Sequence, residues 1–173
     1  MLANGKEVWR TENAHCRGRY NGQQAEESFA AVCLRRGWHV YSPKVDEGVD
    51  FIVETQSGGI KKVQVTRGGL RQQCKGSSHQ YQVAKRWDQI RKDIDLIAVL
   101  CEEETETGVV QHWFIVPAVC FASTRFDKYH NTEGTWYINI KELKPPMDAA
   151  LNAWWLFDRK NVSGKRILKT FLP

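Results

Sequence analysis

A chain of 173 residues is long enough for one domain with a proper core. Its net charge of +5, from 25 Lys and Arg against 20 Asp and Glu, permits a nucleic-acid partner without demanding one. Five widely spaced cysteines without a CxxC pair argue against a zinc ribbon or a disulfide framework. No apolar run approaches the roughly 20 residues of a membrane span, and the N-terminus lacks an apolar signal core. A reducing cytoplasm is the expected location.

Residues 1–20 are polar and read as an irregular arm, with Trp9 as an anchor. Asn21 is a helix cap, and Gln24, three residues on, completes a capping-box-like pair. Phe29, Ala30, Cys33 and Leu34 then share one helical face, and Gly37 stops a helix expected over 21–36. A short strand at 38–42 is ended by Pro43. A β-hairpin spans 49–66, turning at Ser57-Gly58-Gly59. Gly68, Gly69, Gly76, Ser77 and Ser78 mark a basic loop in which His79 is a surface residue rather than a catalytic base. Residues 80–93 read as a helix striped by Val83, Trp87 and Ile90. Strands follow at 96–100, 112–116 and 136–140. The acids Glu102-Glu103-Glu104-Thr105-Glu106 read as a solvated loop, and a last helix runs over 148–157. Cys33, Cys101, Trp113 and Trp136 are expected in the core.

The hairpin holds the chemistry. Period-2 alternation on its second strand sets Lys62, Gln64 and Thr66 on one face and Val63 and Val65 on the other. A packed strand gains nothing from Gln64 beside Thr66, whereas a metal site that approaches a phosphodiester uses such groups. Asp50 begins the first strand. Glu26 lines up with Phe29, Ala30 and Cys33 on the inward helix face, and Glu27 is one step off it.

Together with the order helix, strand, strand, strand, helix, strand, these residues resemble the PD-(D/E)XK nuclease superfamily in its Gln-containing form. The segment Asp46-Glu47-Gly48-Val49-Asp50 is similar to the D-x-G-x-D run of Mrr-type restriction endonucleases, and to that of the superfamily's intron-encoded homing endonucleases. The resemblance implies an α/β fold. Its restriction-endonuclease-like core (helix, three-stranded meander, helix, strand) covers 21–101, and a C-terminal α/β extension over 102–173 completes the same domain. It also implies a DNA endonuclease using Mg or Mn, with Glu26, Asp50 and Gln64 as metal ligands and Asp50 rather than Asp46 as the main one. Magnesium prefers hard oxygen donors of this kind. The partner implied is double-stranded DNA, with no membrane and no small-molecule cofactor. Cleavage of both strands favours a symmetric homodimer.

The family has lysine where this chain has Thr66, so Thr66 is counted with the catalytic set, and either a cation from Lys62, Arg67 or Lys85 takes its place or the nuclease is weak or altered. Arg67, Arg71, Lys75, Lys85 and Arg86 belong to a run of seven Lys/Arg against one acid between Arg67 and Lys92, the expected DNA-contacting surface. Two alternatives stay open: a relative that binds nucleic acid without cutting it, and a protein-interaction module using exposed Trp. Trp154 and Trp155 cannot both face inward on one helix.

Overall fold

The computed structural model describes residues 9–44, 48–70, 80–83, 93–121, 136–141, 143 and 147–159. The first helix, α1 (Trp9–Arg35), is longer than expected. Residues 9–20 are helical rather than an irregular arm, and Asn21 is interior rather than a cap. The boundary is expected at Asn21, yet Asn21, Gly18 and Gly22, though poor helix formers at about 1 kcal/mol for Gly, stay within the helix. Once a helix is nucleated, each further residue adds a backbone bond at low cost, so such residues are passed over. The C-terminus follows expectation. Gly37 adopts φ 74, and Trp38 N–H donates to the Cys33 carbonyl at 3.1 Å, closing the last turn. Ala25, Phe29 and Cys33 are fully buried on one face.

That face lies on a five-stranded sheet. Strands β1 (His39–Tyr41), β2 (Phe51–Glu54) and β3 (Ile60–Arg67) form the antiparallel meander. Two short strands follow in the chain, β4 (Gly69–Leu70) and β5 (Gln80–Val83), which belong to a second sheet. Strand β6 (Leu96–Thr105) then runs parallel to β3, and β7 (Gly108–Pro117) returns antiparallel to β6, so the large sheet has the order β1-β2-β3-β6-β7. Phe29 is the hub of the core. Its ring centroid lies 5.7 Å from Phe51, 5.7 Å from Trp113, 6.0 Å from Trp154 and 6.1 Å from Phe157. The hairpin turn is held by Thr55 N–H to the Gly59 carbonyl at 2.9 Å. Gly59 is required because a Cβ there would sit 2.8 Å from the Phe157 carbonyl oxygen.

Several expectations need correction. Residues 80–83 do not open a helix. They are the strand β5, the centre of the second sheet, flanked by β4 and by β8 (Trp136–Asn139). Tyr81 and Val83 are both buried, which is period-2 burial hidden in a run too short to tell from a helix. The stretch 84–92, with Lys85, Arg86, Trp87 and Ile90, lies outside the described residues. The acidic run is strand, not loop: Glu102–Thr105 extend β6, and the turn to β7 comes at Glu106 and Thr107. The last helix is broken. Helix α2 (Ala118–Phe121) follows β7, and the C-terminal part has α3 (Met147–Ala150) followed by a 3-10 turn (Trp154–Leu156). Asn152 stands between them at φ 52, where its N–H donates to the Trp113 carbonyl at 2.6 Å, so this bond to β7 displaces helix continuation. The pair Trp154-Trp155 divides as its spacing requires, at 7% and 39% exposure.

Candidate active site at the end of the central hairpin

The antiparallel ladder of β2 and β3 runs from Glu54↔Ile60 to Phe51↔Val63. Beyond Phe51 the two strands part, and Asp50 occupies the split. Its N–H donates to the Val63 carbonyl at 3.0 Å, and its carboxylate Oδ2 accepts the Val65 N–H at 2.6 Å. Asp50 therefore straddles Gln64, bonded to both of its neighbours. The carboxylate satisfies an N–H group that has lost its strand partner, and this bond fixes its orientation.

Gln64 stands on a central strand, between β2 and β6, so it is not an edge residue on the surface. It is 5% exposed, and its Oε1 is buried without a hydrogen-bond partner among the described residues. An orphaned buried carbonyl costs about 1–3 kcal/mol, so among the described residues the fold holds an unsatisfied acceptor on the residue between the two whose backbone Asp50 binds.

Glu26 is half-buried on α1. Two contacts fix the level of that helix over β3. Arg67, at the end of β3, donates to Gln24 Oε1 at 3.1 Å, and Phe29 stacks on Phe51 at 5.7 Å. Glu26 lies between Gln24 and Phe29 along the helix. Glu27 is exposed and accepts from Gln23 at 3.0 Å.

Thr66 is half-buried, one residue beyond the Val65 N–H that Asp50 caps. Lys62 is drawn the other way: its ammonium pairs with Asp93 at 2.9 Å, and its backbone N–H donates to Asp95 Oδ2 at 2.9 Å. Arg67 pairs with Glu102 on β6 as well as Gln24, and Gln111 on β7 donates to the other Glu102 oxygen at 3.1 Å. This polar line from α1 through β3 and β6 to β7 had no signal in the sequence, because its members are linked only by strand register. Arg71, Lys75, His79, Lys85, Arg86 and Asp46 lie outside the described residues. Among the described residues no three His, Cys, Asp or Glu side chains gather as a metal-binding group. The donors at the split are oxygens, carboxylate and amide, which suit a hard cation rather than zinc.

No family model and no curated protein matches the chain. A solved structure does match: that of a bacterial homing endonuclease, I-Ssp6803I, superposes with a TM-score of 0.60 at 20% sequence identity, covering 86% of this chain and 96% of that one. At such identity the likeness is one of fold. The helix on an antiparallel meander, followed by a strand parallel to its last member, is a restriction-endonuclease-like α/β core, and this chain has the fold of that homing endonuclease.

Proposed function

We propose that this protein is a divalent-metal-dependent DNA endonuclease that hydrolyses phosphodiester bonds. One observation carries the reading: Asp50 is bonded on both sides of Gln64, whose buried carbonyl oxygen has no partner among the described residues. The fold shared with a homing endonuclease supports it.

The donors at the split fit magnesium or manganese, because a buried amide oxygen without a hydrogen bond is satisfied by a cation. Asp50 and Gln64 would hold the ion, with Glu26 as the second carboxylate. Such an ion, when bound, supplies an activated water and neutralises charge on the phosphoryl group. The protein's own groups do the rest. The Val65 N–H keeps Asp50 oriented, Gln64 presents a neutral oxygen that adds no further repulsion, and the basic run from Arg67 onward engages the phosphate backbone of duplex DNA.

Thr66 supports a second reading, a relative that binds nucleic acid without cutting it. A threonine hydroxyl is short and neutral where a lysine would hold the scissile phosphate, and losing one such donor costs about 10²–10³ in rate. Of the substitute cations, Lys62 is engaged by Asp93 and Arg67 by Glu102 and Gln24, which leaves Lys85.

A plasmid-cleavage assay with Mg²⁺ and with Mn²⁺, on wild type, Asp50→Asn and Thr66→Lys, separates the readings. Metal-dependent cutting that Asp50→Asn abolishes supports the endonuclease. Cutting only by Thr66→Lys identifies a binding protein on a nuclease scaffold. No cutting by either, on duplex and single-stranded substrates, sinks the endonuclease reading.

A further inference from the structure

The outer edge of β7 carries outward-facing main-chain groups with no strand partner at Val109 and Gln111 among the described residues. The phase of the β6–β7 ladder follows from its end. Ala118 N–H donates to the Asp95 carbonyl at 2.9 Å, so Leu96↔Pro117 is a non-hydrogen-bonded pair. The alternation continues without a bulge to Thr105↔Gly108. Trp113, Gln111 and Val109 thus turn their N–H and C=O groups away from β6. At Trp113 the outward carbonyl is taken by Asn152 N–H at 2.6 Å, which agrees with this phase. Among the described residues no strand pairs with the edge at Val109 and Gln111. Val109 and Val110 are 62% and 40% exposed.

Exposed edges are normally protected by charge, proline or a bulge. The segment Gly108–His112 reads Gly-Val-Val-Gln-His and has none of these. DNA is a poor occupant, because Glu102, Glu103, Glu104 and Glu106 line the same hairpin and repel phosphate.

We infer that β7 pairs antiparallel with β7 of a second copy, about a two-fold axis through Val110. In this register Val109 pairs with Gln111 of the partner subunit and Gln111 with the partner's Val109, so the outward N–H and C=O groups of both residues are satisfied on both copies. Val110 meets the partner's Val110 as a non-hydrogen-bonded pair, the closer of the two kinds. Centring on Gln111 would require the Trp113 carbonyl that Asn152 already holds, and centring on Val109 would bring the turn residue Thr107 into the pairing. Val110, at the axis, is uncharged, so no like charges oppose each other there. Such a dimer joins the two five-stranded sheets into one, and it does not depend on the endonuclease reading. The paired edge is short beside the roughly 20–30 residues a side of a standard interface, so the dimer should be concentration-dependent.

Sedimentation velocity over a concentration series tests it. Wild type should pass from monomer to dimer. Val110→Lys, which sets two ammonium groups against each other, should weaken the dimer by about tenfold or more, and Val110→Thr should keep it. Circular dichroism checks that the variants fold. A second readout does not need a disrupted edge: across a non-hydrogen-bonded pair the Cα separation is about 4.5 Å, within disulfide range. Val110→Cys should therefore cross-link under mild oxidation faster than Leu34→Cys, an exposed control on α1. A wild type that stays monomeric throughout, a Val110→Lys that dimerises like wild type, or a Val110→Cys no faster than the control overturns the proposal.

Discussion

At the scale of single residues, the role proposed for Gln64 sets use against stability. Its amide oxygen is buried and unbonded among the described residues, a cost of about 1–3 kcal/mol that an apolar side chain of similar length would not incur. Gln64→Met should therefore raise the thermal midpoint of the metal-free protein by about 2–4 °C for each kcal/mol recovered, while removing the proposed ligand. Calorimetry on the same variant should show weaker Mg²⁺ or Mn²⁺ binding. Asp50→Asn should weaken that binding further, because it removes the charge; titrations identical to wild type would take Asp50 out of the site. The thiols behave as packing groups. Burial pushes Cys33 up to about 12, Cys120 up to about 12, and Cys101 higher still. A thiol reagent should leave all three unmodified in the native protein at neutral pH and label them on unfolding.

At the scale of elements, Tyr81 links the small sheet to the large one. Its hydroxyl donates to the Glu102 carbonyl at 2.6 Å, and burial pushes its pKa up to about 12. An unfolded tyrosine titrates near 10. The folded state therefore holds the proton longer, so this contribution is complete below about pH 10 and is lost as pH rises towards 12. Urea midpoints should fall over that window in wild type, and Tyr81→Phe should flatten this part of the profile while costing about 1 kcal/mol at neutral pH. The hairpin turn is tied to the C-terminal segment just as closely. Ser57 donates to Asp158 at 2.9 Å, and Gly59 packs on the Phe157 carbonyl. Gly59→Ala places a methyl group against backbone, which cannot swing aside, and should cost about 1–3 kcal/mol in denaturant unfolding.

At the scale of the whole molecule, residues after 101 are woven into the core. Strand β7 pairs along the full length of β6, β8 completes the sheet begun by β4 and β5, and Trp113, Trp154 and Phe157 surround Phe29. A fragment of residues 21–101 should therefore lack a cooperative melting transition, as circular dichroism would show. The distribution of charge predicts a salt-dependent interaction with DNA. Every phosphate that a basic side chain ceases to neutralise should reduce the log–log salt slope by about 0.9. Arg71→Ala with Lys75→Ala should accordingly lower both the affinity and the slope in a fluorescence-anisotropy titration. An unchanged slope would mean that these side chains are merely solvated.

Local pattern was enough to read what depends on a few neighbours. The alternation of Val63, Gln64, Val65 and Thr66, the stop at Gly37, the apolar run from Leu96 to Leu100, and the division of Trp154 from Trp155 were all legible, because strand period, helix period and a left-handed glycine are properties of short segments. Asp50 and Gln64 could be named as candidates, but not the bonds that hold Asp50 to the residues on either side of Gln64. The carboxylate on the Val65 N–H, the orphaned Gln64 oxygen, and the line from Gln24 through Arg67 to Glu102 arise from the parting of β2 and β3 and the docking of α1. The same holds for the misread segments. Gln80–Val83 is a strand because β4 and β8 flank it, Glu102–Thr105 is a strand because β7 pairs with it, and the helix near 150 breaks because Asn152 bonds to Trp113. Pairing partners distant in sequence decide these outcomes, since the free energy of a short polar segment in isolation barely separates strand, helix and loop.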